Sequence, residues 1–223
     1  MLVAEELILM SLHPKYGTEV FFNAWKQVKS GIAGALLMDL ALKKRIFCRK
    51  GRVILLSSKS TGDHILNEIL RNIARSDNPK SIEFWVSEIQ SNIQNLQDRL
   101  IERMIERKII QREIYPGKFG MRVAYPMIKS RIYWDIIDRI RALTKAKEIQ
   151  DFQTFTLIYI MQSCGLSRIF KTRKVLVPRV EISPDWIFKL IEQEKRTTKQ
   201  YVKELLGNIH AYISRDHVVS LAV

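Results

Sequence analysis

The chain holds little cysteine and comparatively little acid, and it lacks both a long hydrophobic run and the short motifs of common catalysis. Its two cysteines, Cys48 and Cys164, stand in unrelated contexts. That argues against a disulfide or a cysteine metal site, and each reads as a small buried hydrophobe. Gly-x-Ser-x-Gly, a Gly-rich phosphate loop ending in Lys-Ser/Thr, and Cys-x-x-Cys are all missing. The four histidines, His13, His64, His210 and His217, are scattered. His210 and His217 fall two helical turns apart, about twice the i, i+4 spacing that chelates zinc. The histidines therefore read as surface or helix-end residues. Glu5 and Glu6 are adjacent, and neighbouring helix residues point different ways, so they make no acid–base pair. They read as first-turn acids that complement the helix macrodipole. No catalytic residue, metal ligand or cofactor site is assigned, and the chain does not read as an enzyme.

The missing hydrophobic run excludes other classes. Met1-Leu2-Val3-Ala4-Glu5-Glu6 has no basic n-region and is interrupted by acids, so it does not read as a signal peptide. No segment approaches the roughly 20 apolar residues that span a bilayer. The expectation is a cytoplasmic protein, soluble or peripherally attached. The scarcity of acid is equally informative: 37 Lys plus Arg face 23 Asp plus Glu, a formal charge of +14. Such an excess repels itself in the compact state and favours an anionic partner, nucleic acid or an acidic membrane.

What the chain does have is helical periodicity almost throughout. Ser30 can cap a run, Gly31 through Leu42, that is apolar on nearly every face, with Asp39 as its one charge. A helix apolar all round belongs in the middle of a helical protein. Gly31, Ala33, Gly34 and Ala35 would let neighbouring helices approach closely. Ile46–Leu56 then reads as two short strands about Lys50-Gly51. Ser60–Asp63 supplies a turn and N-cap for a helix with Ile65, Leu66, Ile69, Leu70 and Ile73. Apolar positions from Ile82 to Ile105 continue through a bend, with Arg99, Arg103 and Arg107 interleaved among Asp98, Glu102 and Glu106, the pattern of a solvated salt-bridged face. A second hairpin is predicted about Pro116-Gly117, and helices near 128–147, 151–164, 184–194 and 198–213. The unit of helix, basic residue, isoleucine and hairpin thus occurs twice. The prediction is a mainly α protein, one globular domain over 1–223, with a central hydrophobic helix bundle ringed by amphipathic helices and two or three hairpins.

An ordered set of segments resembles the Golgi phosphoprotein three family, which includes the yeast vacuolar-sorting homologue and bacterial relatives. The set comprises Ala4–Leu9, Gly17 through Asn23, Ser30–Leu42, Thr61-Gly62-Asp63, Trp85, Arg99–Arg103, Tyr125-Pro126-Met127 and Leu157–Ile160. The match is strongest over 2–165 and weaker over the basic part 166–223. The resemblance implies a non-catalytic peripheral membrane protein of the kind that binds phosphatidylinositol 4-phosphate and, in eukaryotes, retains glycosyltransferases in the Golgi. It also implies cytoplasmic tails of membrane proteins as partners.

Residue by residue, the family's inserted tryptophan falls on Phe22, with Trp25, Lys26 and Lys29 nearby in a stretch read as a two-residue insertion at a membrane-facing loop. The family's headgroup-binding arginine position is Ala33, and two further basic positions are Gln94 and Gln97. Glutamine still hydrogen-bonds a phosphate or an inositol hydroxyl, but without charge. Phe22, Trp25, Lys26, Lys29 and Arg99 are the candidate lipid contacts. A second basic patch holds Arg168, Lys171, Arg173, Lys174 and Arg179 with no acid from Cys164 to Val180. Two rivals stand beside this reading. One is a nucleic-acid-binding protein using the helix–hairpin units as winged-helix-like modules. The other is a structural or interaction protein with no anionic ligand.

Overall fold

In the computed structural model, which describes residues 1–19, 24–117, 120–145, 149, 151–166 and 204–214 (the side chains of 24–27 excepted), the apolar run lies inside helix α2, Ala24–Leu42. From Val28 to Leu40 every residue except Lys29 is buried. Ser30 does not cap this helix. Residues 24–29 include no glycine or proline and are mostly competent helix formers, so the helix starts upstream. Ser30 sits buried within it, and its hydroxyl accepts a hydrogen bond from Gln90 Nε2 at 2.8 Å.

Helix α1, Val3–Met10, is buried along its whole length. The remaining helices are α3 (His64–Ala74), α4 (Ile82–Asn92), α5 (Leu96–Glu106), α6 (Ser130–Lys145), α7 (Phe152–Ser163) and α8 (204–214). The segment expected near 184–194 lies outside the described residues. Helices α1, α2 and α7 pack on one another as a central trio; α3 and α4 flank α2, and α5 and α6 flank α1. That arrangement follows from the side chains. Helix α7 buries residues on all sides, whereas α3 buries only Ile65, Leu66, Ile69, Leu70 and Ile73, one stripe. Close approach depends on glycine. A Cβ on Gly34 would lie 2.6 Å from Ile209 Cγ2 of α8, and one on Gly31 would collide with the Cys164 Sγ.

Two antiparallel hairpins interrupt the helices: β1 (Ile46–Arg49) with β2 (Arg52–Leu55), and β3 (Glu113–Gly117) with β4 (Gly120–Ala124). In the first, Lys50 and Gly51 both have positive φ, as a tight I′ reversal requires. In the second, Pro116 pairs with Met121 and Gly117 with Gly120, so Pro116-Gly117 is paired strand and not the reversal. A two-stranded ribbon has free edges, where a proline costs no ladder hydrogen bond.

The repeated unit has a common structural cause. Helix α2 ends with Lys44 left-handed at φ 56°, Arg45 N–H donating to Leu40 O and Lys44 N–H to Ala41 O. Helix α5 ends with Lys108 at φ 54°, Ile109 N–H donating to Met104 O and Lys108 N–H to Ile105 O. Both are Schellman caps with lysine in the position glycine usually takes. Each turns the chain directly into a hairpin.

Candidate functional site

Helices α4 and α5 are separate because the chain turns between them. Ile93 leaves the helix with extended backbone, and Asn95 adopts a left-handed conformation at φ 50°, ψ 34°. The first turn of α5 thereby meets the face of α2 that carries Lys29. Between them opens a cleft of about 430 Å³ lined by Lys29, Ile32, Gln90, Ile93, Asn95, Leu96, Gln97 and Asp98. Its polar rim carries one cation, one carboxylate and three amides. Asn95 makes no side-chain cap bond to α5, and the hydrogen bond to Ser30 holds the Gln90 amide in place.

The structure brings Lys29 and Gln97 together on this cleft. Gln94 is exposed nearby and is not a lining residue; Ala33 is fully buried in the core. Arg99 turns to α3, where it pairs with Glu68 at 2.8 Å. Trp25, Lys26 and Lys29 lie on α2, not on a loop, because the helix begins at Ala24. Phe22 and the patch Arg168, Lys171, Arg173, Lys174 and Arg179 fall outside the described residues.

A second polar cluster lies at the buried end of α1, and it revises two sequence expectations. Glu5 is fully buried: its carboxylate accepts from the Leu2 N–H at 2.8 Å, from Arg103 Nε at 2.8 Å and from Arg107 at 3.2 Å. Glu6, equally buried, accepts from Arg139 at 2.7 Å and Gln153 at 2.8 Å. Both acids do stand in the first turn of α1, but they hold α5 and α6 in place and are not surface charges. Arg103 also pairs with Asp63, the N-cap of α3, so α5 does not present a simply solvated charged face. Asp39, buried in α2, accepts from the Val3 and Ala4 N–H groups at 3.0 and 3.4 Å and so caps α1 from another helix. Burial pushes the Asp39 carboxyl up to about 7, against the lowering effect of those two bonds, with Glu6 and Glu5 adding to the rise. Burial raises Glu6 as well, opposed by Arg139. The signal for this cluster was in the sequence: α1 has no polar face, so two acids inside it must be buried and require cations.

The adjoining cleft of about 390 Å³ is lined by Glu5, Asp39, Lys43, Asp63 and Arg107, among others. Its carboxylates are already engaged by backbone or arginine. His210 is half-buried between helices instead of at the surface, with its ring 2.7 Å from Ser163 Oγ; burial lowers its pKa. The Ser163 hydroxyl donates to Tyr159 O at 2.8 Å, so the contact joins α7 to α8 without presenting a nucleophile. Cys48 and Cys164 are free and buried, and burial pushes both thiols up to about 12. Among the described residues, no cluster of His, Cys, Asp and Glu could hold a metal ion. None of the described helices is long and apolar enough to cross a membrane.

Fold and cleft together define a class: a mainly α protein with a buried helical trio, two short hairpins and a small polar cleft beside the central helix. The chain belongs to the Golgi phosphoprotein 3 (GPP34) family, whose match covers residues 3–206.

Proposed function

We propose that this protein is a non-catalytic peripheral adaptor that docks on an anionic membrane surface through the cleft between α2 and α5, and there holds the cytoplasmic tail of a membrane protein. The observation that carries this reading is the meeting of Lys29 with Gln97, a family headgroup position, on one concave polar surface. The net charge of +14 supports it, since each lysine near an acidic surface contributes about 1 kcal/mol. The nucleic-acid alternative has less support. Helix α2 is buried where a recognition helix must be exposed, and Arg103 is committed to Glu5 and Asp63.

Flotation with phosphatidylcholine vesicles containing phosphatidylserine tests the proposal, over a salt series and beside duplex DNA. The expected result is binding to acidic vesicles that weakens with salt. Lys29→Ala should weaken it about fivefold. Binding to DNA but to no acidic vesicle would overturn the reading.

A further inference from the structure

We infer that the first hairpin, β1 with β2, and the start of α4 form a docking surface for single-stranded nucleic acid, separate from the α2–α5 cleft. From Leu40 to Gly62 the chain carries seven Lys and Arg and no acid, half of the net charge of +14. Among the described residues, none of the seven is ion-paired with a carboxylate. The strand register concentrates them. Arg49 and Arg52 pair across the ribbon with Lys50 in the reversal between them, and all three are exposed. Like charges placed opposite one another destabilise a ribbon, and a bound polyanion relieves that repulsion. Arg45 donates to Lys59 O at 2.9 Å and to Ser60 O at 3.1 Å, so it ties the Lys59 loop to the end of α2 while keeping its charge.

Tertiary hydrogen bonds add an aromatic to these cations. Val53 N–H donates to Lys80 O at 2.9 Å, Ile82 N–H to Gly51 O at 3.2 Å and the Arg52 guanidinium to Pro79 O at 2.8 Å, so the start of α4 lies along β2. It brings Lys80 and Phe84. The Phe84 side chain is 44% exposed, with the Lys80 ammonium 5.8 Å from its ring centroid and the buried Trp85 ring braced edge-on against it. Three acids adjoin the surface, Asp77, Glu83 and Glu204, and Glu204 is spent on the Gly51 N–H at 2.8 Å. With Lys80 the cations outnumber them by more than two to one. Cations beside an exposed aromatic are the elements of single-strand binding: phosphates meet the charges, and an unstacked base lies on the ring. Duplex bases stack on one another and do not reach Phe84, and an acidic peptide has no base to stack on it. The ribbon extends about 13 Å, four residues at about 3.3 Å each, and so suits successive phosphates better than one small anion. Lys29 and Leu42, the end of α2, are about 20 Å apart along the helix. The cleft and this surface therefore open at opposite ends of α2, and a membrane docked at the cleft leaves the hairpin to a soluble polyanion.

The test is fluorescence anisotropy of labelled oligouridylate and oligothymidylate with the full chain at physiological ionic strength, beside a duplex of equal length and polyglutamate. Both single strands should bind about fivefold or more tighter than either control, and a preference between them names the sugar. Arg49→Ala with Arg52→Ala should weaken binding about tenfold or more. It should also lower the slope of log affinity on log salt by about 1.4, because each phosphate contact to a single strand contributes roughly 0.7. Arg49→Lys with Arg52→Lys should retain most of the binding, since phosphates respond to charge. Phe84→Ala should weaken binding about fivefold or more with the salt slope unchanged. The charge-matched control Arg122→Ala with Arg131→Ala should change affinity by no more than about twofold. Equal losses in the two double alanine variants would reduce the binding to net charge and overturn the proposal. So would no binding of either single strand, or polyglutamate binding as tight as that of oligouridylate. Loss of acidic-vesicle flotation in the Arg49 and Arg52 alanine variant would make the hairpin the membrane face and overturn it as well. Single-strand binding without flotation by any form would support this surface and overturn only the reading of the cleft.

Discussion

At the scale of single residues, the decisive groups are charges placed where charges are costly. Asp39 caps α1 across 36 positions of sequence, and its carboxyl titrates near 7 instead of the ordinary 3.8. Between those values the folded chain holds a proton that the unfolded chain has released. This contribution to stability is therefore complete below about pH 4 and is lost as pH rises through 7. Asp39→Asn should remove it: melting temperatures of parent and variant should diverge between pH 4 and 7, the parent losing ground, and run parallel above. Glu5 is fully buried and is held by Arg103 at 2.8 Å. Removing one partner leaves a buried carboxylate short of compensation, although Arg107 and the Leu2 N–H remain. Arg103→Ala should cost about 3 kcal/mol in urea unfolding, while Arg131→Ala, whose pair with Asp135 is exposed at 3.9 Å, should cost under about 0.5 kcal/mol.

At the scale of elements, the two Schellman caps explain why the same local pattern recurs. The periodic apolar stripe ends, a lysine turns left-handed, and a buried isoleucine leads into the hairpin, Ile46 after α2 and Ile110 after α5. Lysine carries a steric penalty at positive φ that glycine does not. Lys108→Gly should accordingly stabilise the protein by about 0.5–1 kcal/mol in chemical denaturation, with unchanged circular dichroism. The recurrence was legible as sequence, but its reading as a wing was not secure. The two hairpins serve different surroundings. Cys48 and Val53 of the first are buried, whereas Ile114, Met121 and Val123 of the second are exposed. Gly17 shows the same limit. It is readable as a turn residue, yet its φ of +63° and its contact with the Tyr125 backbone, including the Tyr125 N–H bond to Gly17 O at 2.8 Å, join segments more than a hundred residues apart.

At the scale of the whole molecule, α1, α2 and α7 form one apolar interior, and α3, α4, α5 and α6 pack onto it. Backbone amides in the trio can exchange only when that interior opens, whereas most positions of β3 and β4 are exposed. Native-state hydrogen exchange should find the slowest amides in α1, α7 and the Ile32–Leu40 part of α2, approaching the free energy of global unfolding. Amides of β3 and β4 should exchange orders of magnitude faster through local opening. Equal protection in hairpin and trio would contradict the description of the second hairpin as an appendage.

Helix type, order and burial were readable from residue pattern, because a 3.6-residue stripe or its absence reports directly on how many faces a helix must hide. The central position of α2, the Asp63 cap and the Lys50-Gly51 reversal all follow from local rules of that kind. The start of α2 and the extent of β3 were misplaced for the same reason: Ser30 and Pro116-Gly117 are permissive signals, and partners far along the chain, Gln90 and β4, decided how they were used. The site belongs wholly to tertiary structure. Lys29 and Gln97 meet only because Asn95 turns the chain between two helices, and Arg99, close by in sequence, is drawn to Glu68. Charges act over a few ångströms in space, and sequence spacing measures that distance only within a single helix.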